Sequence, residues 1–504
     1  MRILTVVFFL LTVTAWAGKF DRELAGISKM DFSRELYLDT ALVKNGIPAA
    51  VIVPGKTDLK CAEIINNAIR ERTGITLPLA AKIPASGNVI VLGNRDRNEA
   101  MEDLYNRHYT LLDARYPGKD GAVSRSLHNP FGDKRNFLLA GGSDPAGDLL
   151  AAQLLAKRIA AQPAGKELKL GYFADLKYGK HVKLPRSVRE AIPANTTPGG
   201  HAFGWNTLSE NLALFYITGD THFAREFLRF AFPDRAASEE MLKNDGPFGV
   251  GNMKNPLGEP YHYNGYYQTL YWDLVEEHPF FTPEIRAKVT AKFYEALLMR
   301  KLHGDKGIYK TFHDRKVLPR LGDRHWLAEA LQVYSLARYF DKYYDFPLGK
   351  EGMRVSRRYF KTLDQYAAIN AGSLIWYASF LQPAVHFALL DRGVDAKKLV
   401  SFRTYVENMM LLANGRKEDW AIQDSSYQLM NILGYLAQDQ APLTLAKLLA
   451  PPEGAFLLGQ SHKQGREYPR NFFRVADGCW NTAAFDPRGM PEWDPPFARE
   501  KVVE

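Results

Sequence analysis

The hydrophobic pattern of the sequence changes near residue 180, and this change limits the possible folds more than any other feature. Before it, short apolar runs at 49–55, 88–94 and 136–142 alternate with helical patterns. After it, from about 203 to 460, helical patterns follow one another with short loops between them. Alternation of strands and helices predicts an α/β domain, and serial helical hairpins predict an all-α region. We therefore predict a multidomain chain, with a small N-terminal α/β domain followed by an all-α (α/α) toroid.

At 504 residues the chain is too long for one ordinary domain. Helical patterns over 59–74, with Asp58 placed to cap the helix, and over 144–160 complete the predicted α/β domain. The predicted boundaries, in chain order, are a signal peptide at 1–17, the α/β domain at 18–175, a linker at 176–200, the toroid at 201–460 and an irregular tail at 461–504.

The first residues have the pattern of a secretory signal peptide. Arg2 supplies the positive charge, residues 3–13 are apolar, and 15–17 form an A-x-A cleavage site. This predicts a secreted or periplasmic protein with no membrane span in the mature chain. In an oxidising compartment Cys61 and Cys479, the two cysteines, form either one long-range disulfide or two unpaired thiols.

The charge balance favours an anionic partner. The formal net charge is +9, and the basic residues are spread along the chain without a nucleic-acid-binding module. An exported basic protein can bind an acidic polysaccharide, and the alternative is a surface that is merely basic. The sequence has no CxxC, HExxH or EF-hand motif, so we predict no metal site and no cofactor.

A dense polar and aromatic cluster occupies 261–268, between a loop rich in Gly and Pro and a helical pattern. Sugar sites combine hydroxyl groups, an imidazole and aromatic faces in this way. The alternative is a solvated helix start whose tyrosines pack over the loop. The cluster consists of Tyr261, His262, Tyr263, Asn264, Tyr266, Tyr267 and Gln268.

Both parts of the chain resemble carbohydrate-active enzymes. The segments VIVPG, RTGITLP, VIVLGN and NFLLAGGSDPAGDLLAAQLL resemble the small α/β domain that precedes the catalytic domain in α-glucuronidases and β-hexosaminidases. The run NDGPFG followed by YHYNGYYQ resembles a segment of α/α-toroid polysaccharide lyases of the heparinase, chondroitin lyase and alginate lyase types. GWNTLSEN resembles their Asn-bearing helix start, and GDRHWLAEAL supplies an Arg-His pair at a helix start.

The second resemblance implies β-elimination on a uronic-acid polysaccharide, in which the enzyme neutralises the uronate carboxylate, removes the C5 proton and protonates the leaving oxygen. Tyr266 is then the acid or base with His262 as its partner, Asn206 and Arg324 neutralise the carboxylate, and His325 assists. Each has an ordinary alternative, such as helix capping for Asn206. Predicted substrate-binding residues are His201, Trp205, Tyr261, Asn264, Trp326, Tyr377 and Trp420.

Two other functions stay open at this stage. An inverting glycosidase of the (α/α) toroid type needs two carboxylates about 6.5–9.5 Å apart. Asp245, Glu259, Asp419 and Asp424 are the candidates for that pair. A non-catalytic glycan-binding protein would use the aromatic cluster alone. The products distinguish the three classes, because only a lyase yields an unsaturated uronate that absorbs in the ultraviolet.

Overall fold

The fold is given by a computed structural model of the chain. The structure describes residues 21–114, 116–180, 182, 184, 206–245, 251–262, 265–302, 308–309, 324–363 and 383–394. Their strands are β1 Thr40–Lys44, β2 Ile47–Pro48, β3 Ala50–Val53, β4 Asn88–Leu92, β5 Ala122–Leu127, β6 Phe137–Gly142, β7 Leu168–Leu170 and β8 Ala174–Lys177.

The main sheet has five strands in the order β3-β4-β6-β5-β8. Strands β3, β4 and β6 run parallel, and β5 is antiparallel to both β6 and β8. A small antiparallel sheet in the order β2-β1-β7 accompanies it. The three predicted apolar runs are the three parallel strands, so this part of the prediction is confirmed.

Both faces of the main sheet are buried, which explains why its parallel strands are apolar throughout. Ile52, Ile90 and Leu138 point to one face, in a core shared with the first and third helices of the N-terminal region. Val89 and Val91 point to the opposite face. That face belongs to the same continuous core as the helices beyond residue 206. The two regions therefore share one apolar interior.

The helices of the N-terminal region are α1 Leu59–Thr73, α2 Glu99–Asn106 and α3 Pro145–Ala160. Gly74 ends α1 in the left-handed conformation, at φ 72°, and its N–H bonds to the Arg70 carbonyl. Asp144 caps α3 by accepting a hydrogen bond from the Gly147 N–H. The predicted side-chain cap by Asp58 is wrong: its carboxyl makes no capping hydrogen bond and is buried instead.

In the region beyond residue 206, the described secondary structure is helical, with loops such as 251–262 between the helices. Its helices are α4 Thr207–Thr218, α5 Thr221–Ala231, α6 Arg235–Asp245, α7 Gly265–Val275, α8 Pro283–Leu302, α9 Arg324–Tyr343 and α10 Pro347–Leu363, and residues 383–390 are also helical. The predicted α4–α5 hairpin is confirmed. Gly219 is left-handed at φ 69° after α4, and Asp220 caps α5 through the His222 N–H.

These helices form two layers. Nearly every residue of α4 and α7 is buried, whereas α5 buries one face only. Helix α7 packs against α4 and α9, and each of these has an outer neighbour, α5 and α10 respectively. An (α/α) toroid has such layers, but the described residues do not include a closed ring, and the toroid stays a prediction.

Helices α7 and α9 run parallel to each other. His262, just before α7, contacts His325 at the start of α9. One step further, Gly265 lies against the Gln332 side chain. Near the far end, the Glu276 carboxylate accepts a hydrogen bond from the Tyr339 hydroxyl at 2.7 Å. In these contacts, later residues of α7 pair with later residues of α9. Both helices therefore begin at the same end of the region.

A buried charged cluster joins the two regions to the segment before β1. Arg34 from that segment donates hydrogen bonds to Glu276 and Glu277 at the end of α7. His128, which follows β5, contacts the second Glu277 oxygen at 2.6 Å. Burial is the main cause that raises the pKa of the Glu276 carboxyl to about 7, against the attraction of Arg34.

Several predicted boundaries meet the described residues only in part. Strand β8 ends at Lys177, so the sheet enters the predicted linker 176–200 by two residues. Other predicted parts lie outside the described residues. They are the signal peptide 1–17, the rest of the linker except 178–180, 182 and 184, Cys479 and the tail 461–504. No helix that the structure describes has both the length and the apolar character needed to cross a bilayer.

Candidate functional site

The candidate site lies where α7 and α9 begin. The chain reaches α7 through the loop 251–262, whose fold is fixed by side-chain hydrogen bonds. The Glu259 carboxylate accepts from the side-chain amides of Asn252 and Asn255, each at 3.1 Å. Arg300, near the end of α8, donates to the Pro260 carbonyl. These contacts fix the backbone immediately before Tyr261 and His262.

Two of the predicted catalytic residues meet at this end. His262 Nε2 and His325 Nδ1 are 2.8 Å apart, with the ring of His325 exposed and that of His262 half-buried. At this distance one nitrogen donates a proton and the other accepts it. The ring of Tyr261 lies beside His262, with 4.4 Å between the centroids. The pair is therefore a connected proton donor and acceptor at the surface.

The electrostatic setting of the pair favours anions. The backbone N–H groups at a helix start carry partial positive charge, and α7 and α9 start side by side. Arg324 is the first residue of α9. Its side chain is outside the described part of the structure, so its predicted contact with a carboxylate is not observed.

Tyr266 does not line the same surface. It is fully buried in the first turn of α7, and its hydroxyl lies 3.0 Å from His386 Nδ1. Burial, reinforced by nearby His108, holds the pKa of His386 well below its usual range, so this imidazole is neutral. A neutral imidazole can accept the tyrosine proton in a hydrogen bond. The structure thus gives the Tyr266 hydroxyl an internal partner.

The Asn206 side chain also makes a hydrogen bond within the protein. Its side-chain oxygen accepts from the Ser209 N–H at 3.1 Å, and the Ser209 hydroxyl accepts from the Asn206 N–H, which makes a capping box for α4. The side chain is buried. Of the two interpretations of Asn206, this geometry supports helix capping.

The carboxylates considered for a glycosidase have structural partners where they are described. Asp245 is buried and accepts from the N–H and hydroxyl of Thr207, so it stabilises the start of α4. Glu259 holds the loop before Tyr261 through Asn252 and Asn255. Asp419 and Asp424 lie outside the described residues.

The predicted substrate-binding residues are only partly described. Tyr261 and Trp326 are half-buried and adjoin His262 and His325 in sequence. The rest lie outside the described residues, namely His201, Trp205, Asn264, Tyr377 and Trp420. In the part of the chain that the structure describes, no group of three or more His, Cys, Asp or Glu side chains could hold a metal ion.

Sequence reasoning missed Gln332 and His386. Gln332 is fully buried, and within the described structure its amide has no hydrogen-bond partner. It follows His325 by seven residues, which places both on one face of α9, and this spacing could have drawn attention to it. His386 belongs to a segment predicted as helix, but nothing in its local sequence indicated a contact with Tyr266.

A scan against models of known protein families gave no match, and a search of curated protein sequences found no significant match either.

Proposed function

We propose that this protein is an exported polysaccharide lyase that cleaves a uronic-acid-containing polysaccharide by β-elimination. The observation that carries the proposal is the contact between His262 Nε2 and His325 Nδ1 at 2.8 Å, placed at the adjoining starts of α7 and α9. The reaction needs a group that removes a proton and an environment that tolerates negative charge. This end of the helical region offers both.

In the proposed reaction the exposed His325 ring accepts the C5 proton of the uronate. The electron pair of that C–H bond forms the C4–C5 double bond as the C4–O glycosidic bond breaks. The leaving oxygen takes up a proton, which the imidazole pair returns. His262 orients the His325 ring and stabilises its protonated form through the Nε2–Nδ1 hydrogen bond. Protons balance, and no oxidant or other co-reactant is needed.

The negative charge that develops beside the carboxylate requires nearby donors. The N–H groups at the starts of α7 and α9 and the Arg324 side chain are our candidates, and the net charge of +9 favours the approach of an anionic polymer. Asn206 has no substrate contact in this scheme, because it caps α4.

Tyr266 has a positioning role in this scheme. Its hydrogen bond to His386 fixes the first turn of α7, which follows His262 directly. We favour this role over the sequence-based prediction of Tyr266 as acid or base, which stays a prediction, because the side chain of Tyr266 is fully buried.

The proposal is tested with the purified protein and a panel of heparan sulfate, chondroitin, hyaluronan, alginate and pectin. We expect one polymer to yield an ultraviolet-absorbing unsaturated product. His325→Gln should lower that rate by about 100- to 10,000-fold, because a general acid–base is lost. His222→Gln, an exposed histidine on α5, is the matched control and should retain the rate.

Other products would contradict the proposal. New reducing ends without the ultraviolet signal would identify a hydrolase, and polymer binding without any product would identify a glycan-binding protein. Tyr266→Phe separates the two assignments of that residue. We expect its rate to stay within about tenfold of wild type, whereas an acid or base role predicts the larger loss.

A further inference from the structure

A pair of buried carboxyl groups lies at the carboxyl edge of the parallel strands, far along the chain from the candidate site. Asp58 precedes α1, and Asp148 lies in the first turn of α3. Each residue is only 1% exposed. The two carboxyls act on each other, because the charge of Asp58 disfavours ionisation of Asp148, and a hydrogen bond between them would require that one carries a proton.

The donors around this pair bind Asp148 more closely than Asp58. Asp148 Oδ1 accepts from the Gly142 N–H at 2.7 Å, and its Oδ2 accepts from Arg97 at 2.6 Å. Asp58 Oδ1 receives a long contact from the Thr57 hydroxyl at 3.4 Å, and the Gly55 backbone also acts on this carboxyl. Asp58 Oδ2 is buried, and no N–H or hydroxyl of the described residues donates to it.

The surrounding backbone packs closely against one side of Asp58. A Cβ placed on Gly55 or on Gly93 would collide with Asp58 Oδ2. Both glycines follow parallel strands, β3 and β4. The carboxyl therefore lies against the backbone just after two parallel strands, and a proton shared with Asp148 would satisfy its second oxygen.

The charges around the pair are unbalanced. Arg97 is the cation that acts on both carboxyls, and two ionised carboxylates would leave one negative charge buried. Cys61 on α1 is the remaining titratable group that responds to the pair. Burial and the two aspartates raise the pKa of its thiol to about 11, so it stays neutral, and Lys60 acts on Cys61 only weakly.

We propose that Asp58 and Asp148 share one proton in the folded protein, and that loss of this proton destabilises the carboxyl edge of the sheet. The pair is then a pH-sensitive element. The loops after β3, β4 and β6 meet there, tied together by Asn98 bonds to the Val53 and Leu92 carbonyls and an Asn94 bond to the Gly142 carbonyl. A second negative charge at this junction repels the first across all three loops.

The sign of the effect follows from linkage. Burial raises the pKa of both carboxyls, that of Asp148 to about 6, whereas an aspartate in an unfolded chain has a pKa of about 3.9. The folded state therefore holds a proton that the unfolded state has released. This contribution to stability is fully present below about pH 4 and is lost as the pH rises through about 6.

The first test is thermal unfolding of the full chain between pH 4.5 and 8. Asp58→Asn keeps a donor to Asp148 without a charge, so we expect it to raise the melting temperature at pH 8 by about 2–5 °C relative to wild type. At pH 4.5 the two proteins should melt alike. Asp144→Asn is the matched control, because asparagine also caps α3, and its profile should parallel that of wild type.

A second measurement decides the question even if the variant does not fold. Wild-type protein with ¹³C-labelled aspartate carboxyls is titrated by NMR. We expect a carboxyl signal that titrates near pH 6, and the Asp148→Asn variant to lose it. The proposal is overturned if every aspartate is ionised by pH 5, or if Asp58→Asn and wild type have the same dependence of melting temperature on pH.

Discussion

Two buried interfaces of this protein, one in the N-terminal region and one between α7 and α9, differ in the kind of side chain that forms them. The sheet face against α1 and α3 is closed by aliphatic side chains such as Ile52, Ile90 and Leu155. The interface between α7 and α9 is closed by polar pairs instead, including Glu276 with Tyr339 and Asp273 with Lys342. Aliphatic contacts depend on volume, whereas polar pairs depend on having the right partner. Substitutions in the two interfaces should therefore differ in how much they lower the free energy of unfolding, and in whether that loss depends on pH.

The largest effect should come from removing the cation at the end of α7. Arg34→Met leaves Glu276 and Glu277 buried without it, and we expect a loss of about 3–5 kcal/mol in unfolding free energy. Without Arg34 the pKa of the buried Glu276 carboxyl is raised further, so the loss should be greater at pH 8 than at pH 5. Denaturant unfolding at both pH values measures it.

Arg235→Met is the control, because the side chain of Arg235 is 93% exposed and pairs only with Glu239. It should leave the unfolding free energy unchanged. Equal effects of the two substitutions would show that the Arg34 cluster contributes nothing through burial.

A smaller effect, without pH dependence, is expected on the aliphatic face. Leu155→Ala removes a fully buried side chain from α3 and should cost about 3 kcal/mol through lost burial and a cavity. The cost should be the same at pH 5 and pH 8, since the aliphatic side chains that pack there do not titrate. A cost that changed with pH would break the distinction between the two interfaces.

Glu276→Gln should change the slope of stability with pH. The folded-state pKa of Glu276 is about 7, above its usual value, so wild type gains stability from the protonated form below about pH 4.5 and loses it as the pH rises through 7. We expect wild type to lose about 2–3 kcal/mol more than the variant between pH 5 and 8. Parallel pH profiles for the two proteins would disprove a raised pKa.

The smallest effect tests the parallel arrangement of α7 and α9. A methyl group on Gly265 would collide with Gln332, so Gly265→Ala should be less harmful when Gln332→Ala is also present. We expect a coupling energy of about 1 kcal/mol in a double-mutant cycle, as for residues in contact. Additive effects would mean that the two residues do not touch.

Much of the N-terminal fold could be predicted from the sequence, because its central strands are short aliphatic runs. Strand β5 was missed, since AVSRSL has no such run although most of its residues are buried. This segment is a strand because it pairs with β6 and β8, and such pairing is not visible in the local sequence. The short strands β1, β2, β7 and β8 and helix α2 were missed for the same reason, as local pattern is weak there.

The candidate site was less predictable. The sequence left the polar cluster 261–268 open between a sugar site and a solvated helix start, and in the structure Tyr266, Tyr267 and Gln268 are buried. Tyrosine and glutamine are compatible with either setting, and the partner that decides for Tyr266 is His386, 120 residues further along the chain. The contact of His262 with His325 depends on two helices that start at the same end, and the sequence does show both residues at helix starts.

The shared interior of the two regions has a consequence for dividing the chain. A fragment ending near residue 180 would keep the core around α1 and α3, but the opposite sheet face would lose the apolar neighbours that α4 and α7 supply. Exposed aliphatic surface of that kind promotes aggregation. The N-terminal region is therefore expected to be poorly soluble when expressed without the helices, and fusion or domain-exchange experiments should keep the two together.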